Sequence, residues 1–114
     1  MSDRMSLDGR TFAGVANDEA GEVSAQTTFH FEETDDRLYG TYAGGPILDG
    51  HLLGTREKDR WEIRYVQINE DGETSTGHSI GEIHRLDDGR LRIEDQWHWE
   101  SKEGTGESVL EEMR

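Results

Sequence analysis

Residues 95–100, DQWHWE, hold the side chains in this sequence that are best suited to ligand chemistry. Trp97 and Trp99 occupy alternate positions, His98 lies between them, and Asp95 precedes Trp97 by two residues. Alternate residues of a β-strand share one face, so a strand here would turn both indoles and the carboxylate inward and His98 outward. Aromatic rings with one polar anchor are typical of a small-ligand pocket. The alternative is that the indoles only fill a core, where aromatic side chains dominate burial.

A second set of aromatic and polar residues alternates in the same way. Trp61, Tyr65 and Gln67 share one face of the strand predicted for Arg60–Ile68, and Tyr42 can join them from its own strand. If this face is internal, the Gln67 amide and the Tyr65 hydroxyl require hydrogen-bond partners or a wet cavity. A small polar ligand would provide such partners, and an internal hydrogen-bond network without a ligand is the alternative.

Two loops are candidates for the mouth of a barrel. Asn17, Glu19 and Glu22 lie in the first loop, NDEAGE, and AGGP at residues 43–46 forms the second. Loops at a mouth are where binding sites commonly vary, although solvated acidic turns explain the same residues. In total the sequence predicts eight ligand-binding residues in the interior and mouth: Asn17, Tyr42, Trp61, Tyr65, Gln67, Asp95, Trp97 and Trp99.

Catalytic and metal-binding patterns are missing from the sequence. No phosphate-binding glycine loop, HExxH pair or GxSxG nucleophile motif occurs. His78 and His84 would share a strand face about 20 Å apart, too far to bind one metal ion. Glu94 and Asp95 would point to opposite faces of one strand, so they do not form an acid–base pair. We therefore predict no catalytic residue, no metal and no cofactor.

Period-2 alternation of apolar and polar residues, interrupted by turn residues, predicts eight strands. They cover Thr11–Ala16, Val23–Glu33, residues 37–42, Ile47–Arg56, Arg60–Ile68, Ser75–Leu86, Arg90–Glu100 and Gly106–Glu112. Asp71-Gly72 and Asp88-Gly89 are typical of tight hairpin turns. Eight short antiparallel strands without exposed edges predict an all-β, up-and-down barrel, with a two-sheet β-sandwich as the alternative. We assign residues 11–114 to one barrel domain and residues 1–10 to a flexible N-terminal segment.

Acidic residues dominate the charge of the chain. Asp and Glu total 26 against 12 Lys and Arg, the formal net charge is −14, and only Lys58 and Lys102 are lysines. Such surfaces suit concentrated salt, where charges are screened over short distances, and this favours a halophilic source over an ordinary acidic protein. With no basic stripe and no apolar run of spanning length, we expect no nucleic-acid or membrane partner. The sequence shows no cysteine and no export signal, so we expect a cytoplasmic protein.

Three short motifs carry a family resemblance. They are a Tyr-x-Gly-Gly-x-Ile element, a Trp-x-Trp element and a closing Gly-x-Ser element, at Tyr42–Ile47, Trp97–Trp99 and Gly106–Ser108. From about Thr11 to Glu112 the chain resembles the small avidin-like barrel proteins of bacteria and archaea, which implies an eight-stranded barrel like that of avidin and streptavidin. Some members carry the label N-acetylglutamate synthase, which we discount because 114 residues without an acyl-CoA phosphate loop could not house that enzyme. Analogy with biotin binding rests on the fold alone and is weak support for function.

The sequence as a whole favours a noncatalytic barrel that binds an unidentified small ligand in its interior. The alternative is an interaction module, a homodimer or other homo-oligomer, built on the outward residues Val66, Ile68 and Ile83. Arginines would then pair with glutamates across the interface: Arg64, Arg85 and Arg92. A third alternative is a small hydrolase or isomerase that uses Asp95 or Glu94.

Overall fold

Eight antiparallel strands close into one β-barrel in the computed structural model, which describes residues 6–17 and 21–113. The strands are β1 (Thr11–Asn17), β2 (Thr28–Thr34), β3 (Arg37–Gly44), β4 (Ile47–Glu57), β5 (Arg60–Asn69), β6 (Thr74–Arg85), β7 (Leu91–Trp99) and β8 (Thr105–Glu112). Each strand pairs with the next along the chain, and β1 pairs with β8 to complete the closure. This confirms the all-β barrel and excludes the sandwich. Within the described ranges, no helix is long and apolar enough to cross a membrane.

The barrel interior is filled by the apolar half of each alternating pattern. Trp61 and Ile63 of β5 are almost completely buried, and the intervening Glu62 is exposed. Because successive residues of a strand point to opposite faces, the burial patterns show that the faces of Tyr42 on β3, Trp61 on β5 and Trp97 on β7 are the inward ones. The core cluster contains Leu7, Phe12, Phe29, Phe31, Leu38, Tyr42, Ile47, Leu52, Trp61, Ile63, Ile83, Leu91, Ile93 and Leu110.

The second strand begins later than the alternation predicts, at Thr28 rather than at Val23. Thr27 N donates to Ser24 O at 3.0 Å, and Ser24 N donates to the Thr27 hydroxyl oxygen at 2.9 Å. Side-chain bonds of this kind compete with ladder bonds and close a turn here. The Thr27 hydroxyl also donates to Gly44 O at 3.1 Å, which ties the turn to the β3–β4 loop. The predicted start at Val23 is therefore wrong.

Ile83 also differs from its predicted position. It is 1% exposed and pairs with the buried Ile93 of β7, so the prediction that it faces outward is wrong. The inner face of β6 includes Ser75 and Ser79, both buried. Because these inward residues are polar, hydropathy alone does not distinguish the two faces of β6. Val66 of β5 does face outward and is exposed.

The connections between strands gather at two ends of the barrel. Loops β1–β2, β3–β4, β5–β6 and β7–β8 form what we call the open end, and turns β2–β3, β4–β5 and β6–β7 form the closed end with residues 6–10. Leu7 is fully buried there, and its N–H donates to Glu33 Oε1 at 2.9 Å. Arg56 forms a buried ion pair with the same Glu33 at 3.0 Å. Residues 1–5 lie outside the described ranges, and the flexibility of residues 1–10 stays a prediction.

Candidate functional site

A cavity extends from the open end into the barrel interior. Its volume is about 50 Å³. Pockets for drug-sized ligands measure about 300–1,000 Å³, so this cavity is well below that range and suits only a ligand of a few non-hydrogen atoms. All eight residues predicted to bind a ligand line it: Asn17, Tyr42, Trp61, Tyr65, Gln67, Asp95, Trp97 and Trp99. Their role in binding stays a prediction.

The carboxyl group of Asp95 lies in the cavity wall between two serines. Ser79 Oγ is 2.8 Å from Asp95 Oδ2, and Ser108 Oγ is 2.6 Å from Asp95 Oδ1. The Trp61 indole N–H donates to Ser79 Oγ at 3.1 Å. Because an indole nitrogen only donates, Ser79 accepts this bond and directs its own proton to Asp95. Burial raises the pKa of Asp95, and the hydrogen bonds from Ser108 and Ser79 offset only part of that rise.

Three side chains near the mouth form a hydrogen-bond chain that ends on Glu22. The Tyr42 hydroxyl donates to Gln67 Oε1 at 2.8 Å, and Gln67 Nε2 donates to Glu22 Oε1 at 2.7 Å. Asn69 Nδ2 donates to the other carboxylate oxygen at 2.8 Å. Burial raises the pKa of Tyr42, so its hydroxyl remains a donor. Gln67 is thus satisfied by an internal network, which was one of the two alternatives left open by the sequence.

The Tyr65 hydroxyl has no hydrogen-bond partner within the part of the chain that the structure describes. The ring packs edge-on against Trp99, with ring centroids 5.8 Å apart. It also lies across Gly77, where a Cβ would collide with it. Burial raises the pKa of Tyr65, so the group is a neutral hydroxyl at physiological pH. It is therefore available to water or to a ligand in the cavity.

Trp97 and Trp99 form an aromatic wall on the inner face of β7, with ring centroids 5.5 Å apart. Trp97 Nε1 donates to Asn17 Oδ1 at 3.0 Å, and Asn17 Nδ2 donates to Val23 O at 3.0 Å, which ties the wall to the β1–β2 loop. His98 is exposed on the outer face, as predicted. Neither indole belongs to the apolar core cluster. Both rings are 7% exposed and line the cavity, so core filling and cavity lining both stay open for them.

Asn17 reaches the cavity because β1 is irregular. The register between β1 and β8 shifts between Gly14 and Ala16, so Val15 and Ala16 are both exposed and Asn17 turns back toward the interior. A β-bulge has this effect because it adds one residue to one strand of a pair. The pairs β3–β4 and β4–β5 also shift register near their open-end termini. Glu22 lines the cavity beside Asn17, and Glu19 lies outside the described residues.

The serines that bind Asp95 were missed as cavity residues by the sequence reasoning. Ser108 was named from the sequence only as part of the Gly-x-Ser element, and Ser79 was not named. In the structure Ser108 is the direct cross-strand partner of Asp95, and Ser79 is the partner of Trp97. Serines at inward positions of β6 and β8 were the available signal. The sequence does not show that they lie beside Asp95, because this depends on how the strands pair.

Inward glycines are a second feature that the sequence reasoning missed. Gly50, Gly77 and Gly81 lie opposite aromatic residues on neighbouring strands: Tyr42, Tyr65 and Trp61, respectively. A Cβ at each glycine would collide with the facing ring. The glycines therefore let three rings lie flat against the barrel wall, an arrangement known from other sheets as aromatic rescue. Gly77 and Gly81, four residues apart on one face of β6, were the available signal.

A separate acidic cluster lies on the outer surface of the barrel. Glu82, His84 and Glu94 have potential ligand atoms within 4.8 Å of one another, and all three are exposed. Exposed acidic groups commonly cluster without binding a metal ion. Glu94 faces this surface and Asp95 faces the cavity, so the two carboxylates do lie on opposite faces of β7.

The closed barrel and its lined cavity define a class of protein, the β-barrels that hold a small ligand in their interior. Residues 5–113 match the family model described as Avidin-like protein, and the chain belongs to this family. Family and fold together support a small-ligand-binding β-barrel. No curated protein and no solved structure matches the chain.

Proposed function

We propose that this protein binds a small polar ligand inside the barrel without catalysing a reaction. The cavity carries the proposal, because aromatic rings there surround polar groups that the chain leaves available. Two such groups are the Tyr65 hydroxyl and the Asp95 carboxyl. A core built only for stability would fill this space, since an empty cavity costs free energy.

Pre-organisation of the lining supports the same proposal. Trp97 is fixed by its bond to Asn17, and Gln67 is fixed between Tyr42 and Glu22. Side chains that are already ordered lose little conformational entropy when a ligand binds. The cavity therefore needs little rearrangement to accept a molecule of matching size.

A ligand screen with a matched control variant tests the proposal. Thermal unfolding and tryptophan fluorescence would be measured against a metabolite library, in molar salt, for the wild type, Trp97→Ala and Leu53→Ala. Leu53 is exposed on the outer face of β4, so its truncation removes an apolar side chain away from the cavity. We expect a ligand that raises the Tm of the wild type and of Leu53→Ala but not of Trp97→Ala. A library that stabilises none of the three proteins, or all three equally, contradicts the proposal.

A homo-oligomeric interaction module is the second candidate function, favoured by an apolar pair on the outer face. Leu53 is 66% exposed and Tyr39, its cross-strand partner, is 47% exposed. Arginines predicted to pair across an interface pair within the chain instead: Arg64 with Glu100, and Arg92 with Glu94 and Glu111. A homodimer would therefore be held by the apolar pair. Sedimentation equilibrium of wild type and Leu53→Glu tests this, because a monomeric wild type rejects it.

We also propose that the protein works in concentrated salt, as its charge suggests. The net charge is −14, and at about 1 M salt the screening length falls to about 3 Å. Self-repulsion within the barrel then weakens, so we expect the Tm to rise from low salt to molar sodium chloride. A Tm that does not change would contradict a halophilic origin. The cytoplasmic location stays a prediction.

A further inference from the structure

The charged groups of the cavity all have the same sign. Among its lining residues Glu22 and Asp95 are acidic, and none is lysine, arginine or histidine. Glu22 already accepts bonds from the amides of Gln67 and Asn69. Asp95 accepts bonds only from neutral serine groups, and within the described ranges it has no ion-pair partner. Burying a carboxylate without a cation is unfavourable, so the site lacks a positive charge.

The rings around these carboxylates present faces that attract cations. Tyr65, Trp97 and Trp99 all line the cavity, and the Trp99 ring contacts the rings of both Tyr65 and Trp97. The face of an indole or phenol ring is negative, and a cation within about 6 Å of its centre is stabilised. Lys102 shows this at the rim, where its Nζ lies 4.7 Å from the centre of the Trp99 ring. The Trp99 ring thus already contacts one ammonium group, which also pairs with Glu73 at 3.2 Å.

We infer that the ligand is a small organic cation carrying N–H donors, an alkylammonium or alkylguanidinium ion, that pairs with Asp95. This inference rests on the proposed function, since it names the class of ligand that the same cavity takes. The Trp61 indole holds Ser79 as a donor to Asp95, so Ser79 uses one lone pair of the carboxylate. A carboxylate has further lone pairs, and these can accept bonds from a ligand in the cavity. The Tyr65 hydroxyl accepts a second N–H of the cation, and the aromatic wall contacts its alkyl part.

The size of the cavity agrees with this class of ligand. The cavity volume of about 50 Å³ excludes a bulky ligand. A net charge of −14 concentrates cations near the barrel and repels anions. A small anion would meet Glu22 and Asp95 with no basic group to receive it.

Matched probes of equal chain length test the inference. The n-butylammonium ion and n-butanol would be titrated into the full-length protein in about 1 M sodium chloride, with the three tryptophan indole N–H signals followed by NMR. Loss of a charged hydrogen-bonding partner weakens binding roughly ten- to a hundredfold. We therefore expect n-butylammonium to bind at least about tenfold more tightly than n-butanol.

Two substitutions at adjacent positions of β7 locate the effect. Asp95→Asn removes the inner carboxylate and should abolish the preference for the cation. Glu94→Gln makes the same charge change on the outer face and should keep the preference. If Asp95→Asn does not fold, the comparison of the two probes on the wild type still decides whether the cavity prefers a cation, and no preference overturns the inference.

The outcomes separate this inference from the proposed function. Equal binding of n-butylammonium and n-butanol, or a preference that survives Asp95→Asn, overturns the cationic ligand and leaves a ligand cavity. Library hits that depend on Trp97 but are all neutral or anionic also overturn the cationic ligand alone. If neither probe shifts an indole signal and no library compound binds, the inference and the proposed function both fail.

Discussion

The two ends of the barrel are built from the same eight strands and are filled in different ways. At the closed end, Phe12, Phe31, Leu38 and Leu91 are almost completely buried and belong to one apolar cluster. Two buried charged groups there, Arg56 and Glu33, pair with each other. At the open end, the inward positions carry amides, hydroxyls and carboxyls around a cavity. The closed end therefore pairs its buried charges within the chain, whereas at the open end the Tyr65 hydroxyl has no hydrogen-bond partner among the described residues.

The two halves of a single strand differ in the same way. Phe29 and Phe31 show it on β2, where both face inward two residues apart. The Phe31 ring packs edge-on against Phe12, with ring centroids 5.3 Å apart, and against Trp61, with ring centroids 5.5 Å apart. Phe29 stacks on Tyr42 at 4.8 Å and lines the cavity. We expect stability to depend more on Phe31 and binding more on Phe29.

The largest predicted effect is the loss of stability in Phe31→Ala. Truncating a buried phenylalanine removes its apolar contacts and leaves a void, which costs about 3–5 kcal/mol. Phe29→Ala should cost less by about 1 kcal/mol or more, because Phe29 borders a cavity that already exists and that water can enter. Urea denaturation of both variants measures the difference. Equal losses would show that the open end is packed like the closed end.

The second prediction concerns Glu22, which binds Gln67 and Asn69 at the mouth. In Glu22→Gln one acceptor oxygen becomes an amide donor facing another donor, so at least one charge-assisted bond is lost. Such a bond contributes about 1.5–3 kcal/mol. Glu70→Gln is the matched control, since Glu70 is exposed in the adjacent β5–β6 turn. Equal unfolding free energies for the two variants would mean that the mouth network adds no stability.

The sequence predicted most of the alternating faces but erred at both ends of the barrel. Regular alternation placed Trp61, Ile63 and Leu91 correctly, because period-2 hydropathy reports burial directly. It failed for Ile83, since the neighbouring inward residues of β6 are serine and glycine. It also missed the late start of β2, because the turn before Thr28 depends on local side-chain bonds that hydropathy does not detect.

The candidate site was predictable as a set of residues but not as an arrangement. The eight residues named from the sequence all line the cavity, since aromatic and polar residues at inward positions mark it. Their partners were not predictable, because Ser108 meets Asp95 only through the register of β7 and β8. The bulge that turns Asn17 inward has no clear hydropathy signal. Bulges lie at the open end in all three shifted pairs, where regular alternation is a poor guide.

The third prediction is a pH effect that comes from Asp95. Burial holds the pKa of Asp95 above the ordinary 3.8. At a pH between 3.8 and this raised pKa, the folded protein therefore binds more protons than the unfolded chain. Stability from this group therefore rises as the pH falls toward 3.8, by at most about 1.4 kcal/mol per pH unit. Asp95→Asn should remove that rise, measured as unfolding free energy from about pH 7 to about pH 4.

Glu94→Gln controls for the loss of one negative charge, because Glu94 is exposed on the outer face of the same strand. The informative quantity is the difference between the pH slopes of the two variants. If Asp95→Asn and Glu94→Gln have the same slope, Asp95 is not desolvated in the folded protein. In that case Asp95 would no longer support the contrast between the closed end, where the buried charges are paired, and the open end, where a buried carboxyl has no ion-pair partner among the described residues.

The smallest predicted effect compares two tyrosine hydroxyls that differ in burial. The Tyr42 hydroxyl is buried and donates to Gln67 at 2.8 Å, and the Tyr39 hydroxyl is exposed on the outer face and donates to Glu32 at 2.5 Å. Tyr42→Phe leaves Gln67 with an unsatisfied acceptor and should cost about 1 kcal/mol. Tyr39→Phe should change stability by less than about 0.5 kcal/mol, because water replaces the lost partner. The Tyr39–Glu32 bond is the shorter of the two but is expected to contribute less to stability. Water can bind the exposed Glu32 after Tyr39→Phe, whereas the buried Gln67 oxygen loses its donor after Tyr42→Phe. Chemical denaturation of both variants would contradict this if Tyr39→Phe proved the more destabilising.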